Sequence, residues 1–295
     1  MSDTILVTGA SGHLGRAVIR HLLDSRGVAP GRIVAGSRSP DKLADFAARG
    51  VATRKVDFDD PSGLEQAFAG AGTVLIVSTD ALDGAGTRLR QHQAAVAAAK
   101  AAGVSRIAYT SLPNAETSKV SFAPDHLGTE QAIAATGLAS LIFRNSWYQE
   151  NLFMSLPQAL KTGQWYTSAG EGRIAFVARD DIAAAIAGAL ANPPAGSVTW
   201  TLTGSEALTN EDIARLAADA VGRPVRLVHL NDEQLAGGMK AAGVPEAFVP
   251  TLVSFERASR EGDLATVTDD VATLSGRRPR SLRDFLAASK AALAA

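Results

Sequence analysis

The sequence predicts an α/β chain built on a doubly wound parallel sheet, followed by a smaller α/β unit. Three observations predict it. Over roughly the first 145 residues, short β-branched runs alternate with Ala- and Leu-rich stretches. Strands joined through helices form right-handed crossovers and a sheet covered on both faces. The apolar runs are short and continuous, as strands buried on both sides require. At 295 residues the chain buries roughly three quarters of its unfolded surface, enough to hold a core without metal or disulfide.

The elements follow in order. Ile5–Val7 reads as a strand and Leu14–Leu23 as a helix. Arg32–Ala35 and Lys42–Ala48 repeat that pair, and Val51–Val56 and Thr73–Val77 are further strands. Arg88–Ala102 is a long Ala-rich helix stopped by Gly103. Ser105–Thr110 and Leu141–Phe143 are the next strands. After Asn145 the pattern loosens. Asp181–Leu190 is helical, and Ser197–Thr203 is a strand suited to the far edge of the sheet. Thr209, with Asp212 three residues on, caps a helix running to Val221. Val225–Leu230 is a short strand, and the tail from Asp232 is mostly helical, broken at Pro245 and Pro250. The expected division is 1–150, with 178–204 returning to it, as one domain, and 151–177 with 205–295 as a smaller one.

Composition narrows the function. Apolar residues are 46% of the chain and charged residues 20%, which is an ordered globular balance. A net charge of −1 argues against nucleic acid, which needs a basic face. The absence of cysteine excludes disulfides, thiolate nucleophiles and Cys-ligated metals. His13, His21, His92, His126 and His229 are scattered without ligand spacing, so no metal site is expected. No apolar stretch is long enough to span a bilayer. Met1-Ser2-Asp3 runs straight into the first strand without the features of a leader, and a cytoplasmic protein is expected.

The strongest motif is Gly9-Ala10-Ser11-Gly12-His13-Leu14-Gly15, between the first strand and the first helix. Gly9 permits a tight turn, Gly12 lets the backbone approach a pyrophosphate, and Gly15 lets the helix pack on the strand. The helix start, with His13 and Leu14, offers free N–H groups and a positive dipole end to phosphates. This is the Rossmann-type context for a dinucleotide. A site for NADH places a carboxylate about 20 residues on, at the end of the second strand, to bind the ribose diol. Here that position reads Gly36-Ser37-Arg38-Ser39. Arg38 can fork onto a 2′-phosphate, a contact worth about ten- to a hundredfold in affinity. NADPH is therefore expected over NADH. Asp57-Phe58-Asp59, after the third strand, either borders the adenine or is polar loop. Ser78-Thr79-Asp80, after the fourth, either lines the ribose or is loop likewise.

Taken with the glycine loop, four further segments matter. They are Gln91-His92, Tyr109-Thr110-Ser111, His126 with Thr129-Glu130, and Arg144-Asn145-Ser146-Trp147-Tyr148. Together they resemble the NmrA-like atypical short-chain dehydrogenases, among them bacterial NADPH:quinone oxidoreductases and triphenylmethane dye reductases. Ala242–Phe248 also resembles the latter. The resemblance covers nearly the whole chain. It implies a Rossmann domain with a small C-terminal domain, NADP(H) along the sheet's carboxyl edge with Gln91 among its contacts, nicotinamide contact by the Ser111 and Asn145 segments, and a substrate cleft between the domains.

Ordinary short-chain dehydrogenases protonate the developing alkoxide with the tyrosine of a Tyr-x-x-x-Lys pair. Counting on from Ser111, those places hold His126 and Glu130. A missing general acid costs about 10²–10⁴ in rate when the product is a basic alkoxide. A quinone gives a weakly basic hydroquinone anion, and a cationic dye needs no proton. The resemblance therefore implies hydride transfer to a quinone or related conjugated or cationic aromatic acceptor. Ser111, Tyr148 and His126 are the candidate polar participants. Ser111 either bonds a substrate oxygen or caps its strand, and His126 either supplies a proton or bonds within the fold. Trp147, Tyr148 and Phe153 either stack on a flat aromatic substrate or pack between the domains. Phe248 and Phe255 either pack in the small domain or cover the cleft. The alternative function is a non-catalytic NADP(H)-binding redox sensor; a nucleotide-sugar epimerase is disfavoured because it relies on the missing Tyr/Lys pair. The long Ala-rich helices make a homodimer an expectation.

Overall fold

The computed structural model describes residues 3–83 and 86–294. Met1 and Ser2, which open the run read as leaderless, lie outside the described residues. The first half alternates as expected: β1 (Ile5–Val7), α1 (His13–Arg20), β2 (Ile33–Ser37), α2 (Ala44–Ala47), β3 (Ala52–Lys55), α3 (Pro61–Phe68), β4 (Thr73–Ile76), α4 (Thr87–Ala101), β5 (Arg106–Ser111), α5 (Ala123–Ala135) and β6 (Ala139–Asn145). Next come α6 (Leu156–Thr162), β7 (Gln164–Thr167), β8 (Arg173–Ile174), α7 (Arg179–Ala191) and β9 (Val198–Leu202). The chain finishes with β10 (Leu208–Thr209), α8 (Asn210–Val221), β11 (Arg226–His229), α9 (Asp232–Ala241), α10 (Val249–Arg260), α11 (Asp270–Ser275), α12 (Leu282–Ala288) and α13 (Lys290–Ala294).

Seven strands form one sheet in the order β3-β2-β1-β4-β5-β6-β9, all parallel. The strand order reverses between β1 and β4, where open parallel sheets bind ligands. Successive residues of β1 face opposite sides. Ile5 and Val7 join a cluster with Val18 of α1 and Ile182, Ile186 and Leu190 of α7. Leu6 joins another with Leu64 and Phe68 of α3, Val96 of α4 and Ile133 of α5. The helix expected at Asp181–Leu190 is buried along that whole length. Its small residues allow close approach; a Cβ on Gly188 would lie 2.0 Å from the Leu274 carbonyl oxygen. The Ala-rich surface of α7 is thus used inside the chain.

A third cluster gathers Leu156, Leu160 and Trp165 with Ile213, Leu216 and Phe285. It is served by two small sheets, β7 with β11 and β8 with β10. Thr209 does cap α8, in a reciprocal box with Asp212. Several elements differ from expectation. The second helix is a 3₁₀ turn over Pro40–Leu43 followed by the short α2. Pro250 lies in the first turn of α10 rather than breaking a helix, because a proline there lacks only an N–H that has no helical partner. α3 buries only Leu64, Ala67 and Phe68 on one face, too short a period to read, and α5 carries no clear apolar period; Pro61 opens α3, Pro124 is second in α5, and each holds an internal glycine. Gly128 has a reason: its Cβ would meet Leu89 Cδ1 at 2.9 Å, so α5 and α4 touch there. No helix among the described residues is long and apolar enough to cross a membrane.

Between α4, α5 and β5 runs a buried polar seam of His92, Tyr109, His126 and Thr129. The Arg88 guanidinium donates to His126 Nε2 at 3.0 Å, and the Thr79 N–H donates to His92 Nε2 at 3.0 Å. Both Nε2 atoms therefore accept, so each neutral ring carries its proton on Nδ1. His126 Nδ1–H then donates to Tyr109 Oη at 2.7 Å, and His92 Nδ1–H to Thr129 Oγ1 at 3.0 Å. Protonating either ring would set an N–H against another donor. Burial, then the Arg88 charge, brings His92 down to about 3 and His126 well below the usual histidine value.

A folded-state pKa below the unfolded one gives stability that is present above about 6.5 and lost as pH falls below it. Between pH 7.5 and 5.5 the two imidazoles together should remove about 3 kcal/mol of folding stability. Urea unfolding across that range checks it; an unchanged unfolding free energy would mean that the two rings titrate normally.

Candidate active site

The sheet's carboxyl edge opens into a cleft of about 340 Å³. Its floor is the glycine loop. Gly9 adopts φ +59°, which closes the turn from β1, and Gly12 N–H donates back to its carbonyl at 2.9 Å. Gly12 is also the N-cap of α1 and makes no side-chain capping bond, so the first N–H groups of the helix remain for a ligand. A Cβ on Gly15 would lie 2.4 Å from the Gly9 carbonyl oxygen; only glycine lets α1 seat against the turn. Gly36 likewise has no room for a Cβ, with Val56 Cγ2 at 2.7 Å and the Val7 carbonyl oxygen at 3.3 Å.

The end of β2 forms one wall. Ser11 and Ser37 hydroxyls lie 2.8 Å apart, and Ser39 N–H donates to Ser37 Oγ at 3.1 Å. Arg38 is exposed at the rim, and no acid pairs with it among the described residues. The opposite wall is Asp57–Asp59 and Val77–Asp80. Gln91 reaches across from α4 and donates to both carboxylate oxygens of Asp59 at 2.9 Å. Two buried side-chain atoms of this lining, Thr79 Oγ1 and Gln91 Oε1, have no hydrogen-bond partner in the protein. Together, the close backbone approach, the free helix start, the unpaired cation and the orphaned polar atoms fit a phosphorylated dinucleotide.

The structure gathers nearly all the expected cofactor residues around this one space: Gly9, Ser11, Gly12, His13, Leu14, Arg38, Phe58, Ser78, Thr79, Asp80 and Gln91. Asn145 does not line it. It sits at the end of β6 on the same sheet edge, nearly buried, with Oδ1 unpartnered.

The other candidates disperse. Ser111, at the end of β5, donates to Glu130 Oε1 at 2.6 Å. Glu130 in turn holds Arg144, which also pairs with Glu116. His126 is enclosed in the seam with both ring nitrogens taken. Neither lines the cleft. Tyr148 packs against the main core beneath the Arg179 guanidinium, 5.1 Å from its ring centre. Burial raises its phenol above the usual value, against a lowering by Asn145 and Arg179. Trp147 and Phe153 pack into the third cluster instead, on Phe255 and Phe285 with ring centres 3.7 and 5.7 Å apart. Phe255 also meets Phe122 at 5.7 Å, while Phe248 is exposed. Phe255 therefore packs in the small domain, and neither phenylalanine lines the cleft.

Sequence reasoning missed Arg88. It donates to the Thr79 carbonyl as well as to His126. Its signal was its position one helical turn before His92, on the same face of α4. His92 was read only as part of a family motif, yet it holds the Thr79 N–H.

Comparison with known proteins places this geometry. Residues 1–282 match the NmrA-like family. Quinone oxidoreductase 2 of Escherichia coli (strain K12) is 35% identical over 271 residues, 92% of each chain. The crystal structure of NADPH-dependent quinone oxidoreductase QOR2 from Escherichia coli with NADPH superposes with a TM-score of 0.91 at 33% identity, covering 97% of this chain and 99% of that one. The Citrobacter sp. triphenylmethane reductase complexed with NADP(H) gives 0.89 at 31%, over 97% and 100%. The chain belongs to the NmrA-like family.

Proposed function

We propose that this protein is an NADPH-dependent oxidoreductase that delivers hydride to a quinone or a related conjugated or cationic aromatic acceptor. One observation carries the reading. The cleft at the strand-order reversal combines a glycine loop backed by a free helix start with an unpaired Arg38 where an NADH site would hold a carboxylate. The relatives support it: those named above are a quinone oxidoreductase and a dye reductase, each solved with its NADP cofactor.

In this reading the loop N–H groups from Gly12 to Leu14 bind the pyrophosphate. Arg38, with Ser37 and Ser39, binds the 2′-phosphate, and Phe58 borders the adenine. Ser78, Thr79, Asp80 and Gln91 bind the ribose side, and Asn145 the nicotinamide side. Bound NADPH supplies the hydride. A quinone that accepts it becomes a hydroquinone monoanion, which takes its proton from water, so no Tyr/Lys pair is needed. Tyr148, whose phenol stays protonated at neutral pH, is the chain's own hydrogen-bond donor to that anion, and water delivers the proton. Ser111 and His126 act as positioning groups, because their polar atoms are engaged within the fold. Of the three aromatics assigned to the acceptor, Tyr148 interacts with the Asn145 side chain, while Trp147 and Phe153 shape the surrounding wall.

The separate third cluster supports assigning 1–150 and 178–204 to the cofactor and 151–177 and 205–295 to the acceptor side. A cytoplasmic setting belongs to the same proposal.

Two measurements test it. Purified protein should oxidise NADPH in the presence of quinones and leave simple ketones unreduced; binding of NADPH without oxidation by any acceptor would favour the redox-sensor reading. Arg38→Ala should weaken NADPH binding about ten- to a hundredfold and leave NADH almost unchanged. Fluorescence titration with each cofactor reads the difference, and an equal loss for both would remove Arg38 from the 2′-phosphate site.

A further inference from the structure

We propose that Arg88 sets the class of acceptor, favouring molecules that become anionic on oxygen over molecules that arrive as cations. The proposal rests on the reductase reading and deepens it.

Arg88 is nine-tenths buried, at 6% exposure. Its guanidinium donates to the Thr79 carbonyl, on the wall of the cleft, and to His126 in the seam. The centre of that guanidinium lies 4.9 Å over the Phe122 ring. Phe122 continues to Phe255 and Phe255 to Trp147, just past β6. The cation therefore sits between the cofactor wall and the aromatic group at the same sheet edge. Its partners are a carbonyl, an imidazole and a π face, and all three are neutral. Among the described residues no carboxylate comes within ion-pair distance of it, and its Nε has no partner. Asp80 and Asp125 favour the charge only from farther off.

A buried cation without a paired anion raises the energy of any second cation nearby and lowers that of an anion. The two acceptor classes differ in this respect. Hydride brings two electrons and one hydrogen to a neutral quinone; the product is the hydroquinone monoanion, later protonated by water, and the cofactor leaves oxidised. The same hydride added to the central carbon of a triarylmethane cation forms a C–H bond and a neutral product. Arg88 stabilises the charge that appears in the first case and opposes the charge already present in the second. At an effective dielectric of about 20, one unit charge several ångström away is worth about ten- to a hundredfold.

Arg88→Gln keeps hydrogen-bond donors but removes the charge, and Arg88→Lys keeps the charge; Arg88→Met replaces the glutamine variant if that one does not fold. Each is measured for kcat/KM with a neutral naphthoquinone and with a cationic triarylmethane dye. The NADP⁺-loaded protein is titrated in parallel with a hydroxynaphthoquinone, anionic at neutral pH, and with the same dye. With the charge removed, quinone kcat/KM and hydroxynaphthoquinone affinity should each fall about ten- to a hundredfold, while those for the dye hold or rise. Arg88→Lys should keep the wild-type preference. Equal losses for both classes, or an unchanged ratio, would make Arg88 a purely structural residue and overturn the proposal. Failure of the wild type to reduce any acceptor would instead count against the reductase reading, and the binding ratio would still decide the role of Arg88.

Discussion

A parallel sheet runs out of hydrogen-bond partners at its carboxyl edge, and the site depends on how the chain satisfies the backbone there. As β4 ends, three consecutive N–H groups leave the ladder. Val77 N–H is taken by Thr8 Oγ1 at 2.9 Å, Ser78 N–H by Thr110 Oγ1 at 2.8 Å, and Thr79 N–H by His92 Nε2. Arg88 takes the Thr79 carbonyl. Side chains from two flanking strands and one helix thus hold the cleft wall open. Left unpaired, each buried group would cost about 1–3 kcal/mol.

That solution brings a polar seam into the interior. A buried imidazole is tolerated when it stays neutral and both nitrogens are bonded. Arg88 enforces the neutral state of His126 from one side, since a guanidinium can only donate. The same cation is therefore a cap for Thr79, a lock on a tautomer and a positive charge over the Phe122 ring.

Much of this was legible in the sequence. The glycine loop, the unusual Ser37-Arg38-Ser39 strand end and the Thr209 cap are local signals, with cause and effect a few residues apart. β9 was legible at the far edge because an edge strand with one open face alternates apolar and polar residues, as Val198-Thr199-Trp200-Thr201-Leu202 does. α3 and α5 were not: α3 shows only Leu64, Ala67 and Phe68 on its buried face, and proline and glycine interrupt α5, whose glycine at 128 is explained only by Leu89 on another helix. The candidate polar residues failed for the same reason. Ser111 looks free until Glu130 is folded beside it, and His126 looks like an acid until Arg88 and Tyr109 fill both nitrogens. Partners 15 to 40 residues away decide such roles, and spacing does not encode them.

The place where ordinary short-chain dehydrogenases keep a lysine carries the reverse charge here, and the structure shows what that charge is for. Glu130 binds Ser111 and Arg144, and Arg144 also holds Glu116. The serine, glutamate and arginine tie the ends of β5 and β6 to α5 and brace the edge that carries Asn145. A lysine there would face Arg144 across a half-buried space and lose the pair. The geometry has thus exchanged a proton relay for a brace, and an acceptor that needs no strong general acid makes that exchange tolerable. What the site retains is a positioned cofactor cleft and a buried positive charge, and these suffice when the product of hydride transfer is a weakly basic anion rather than an alkoxide.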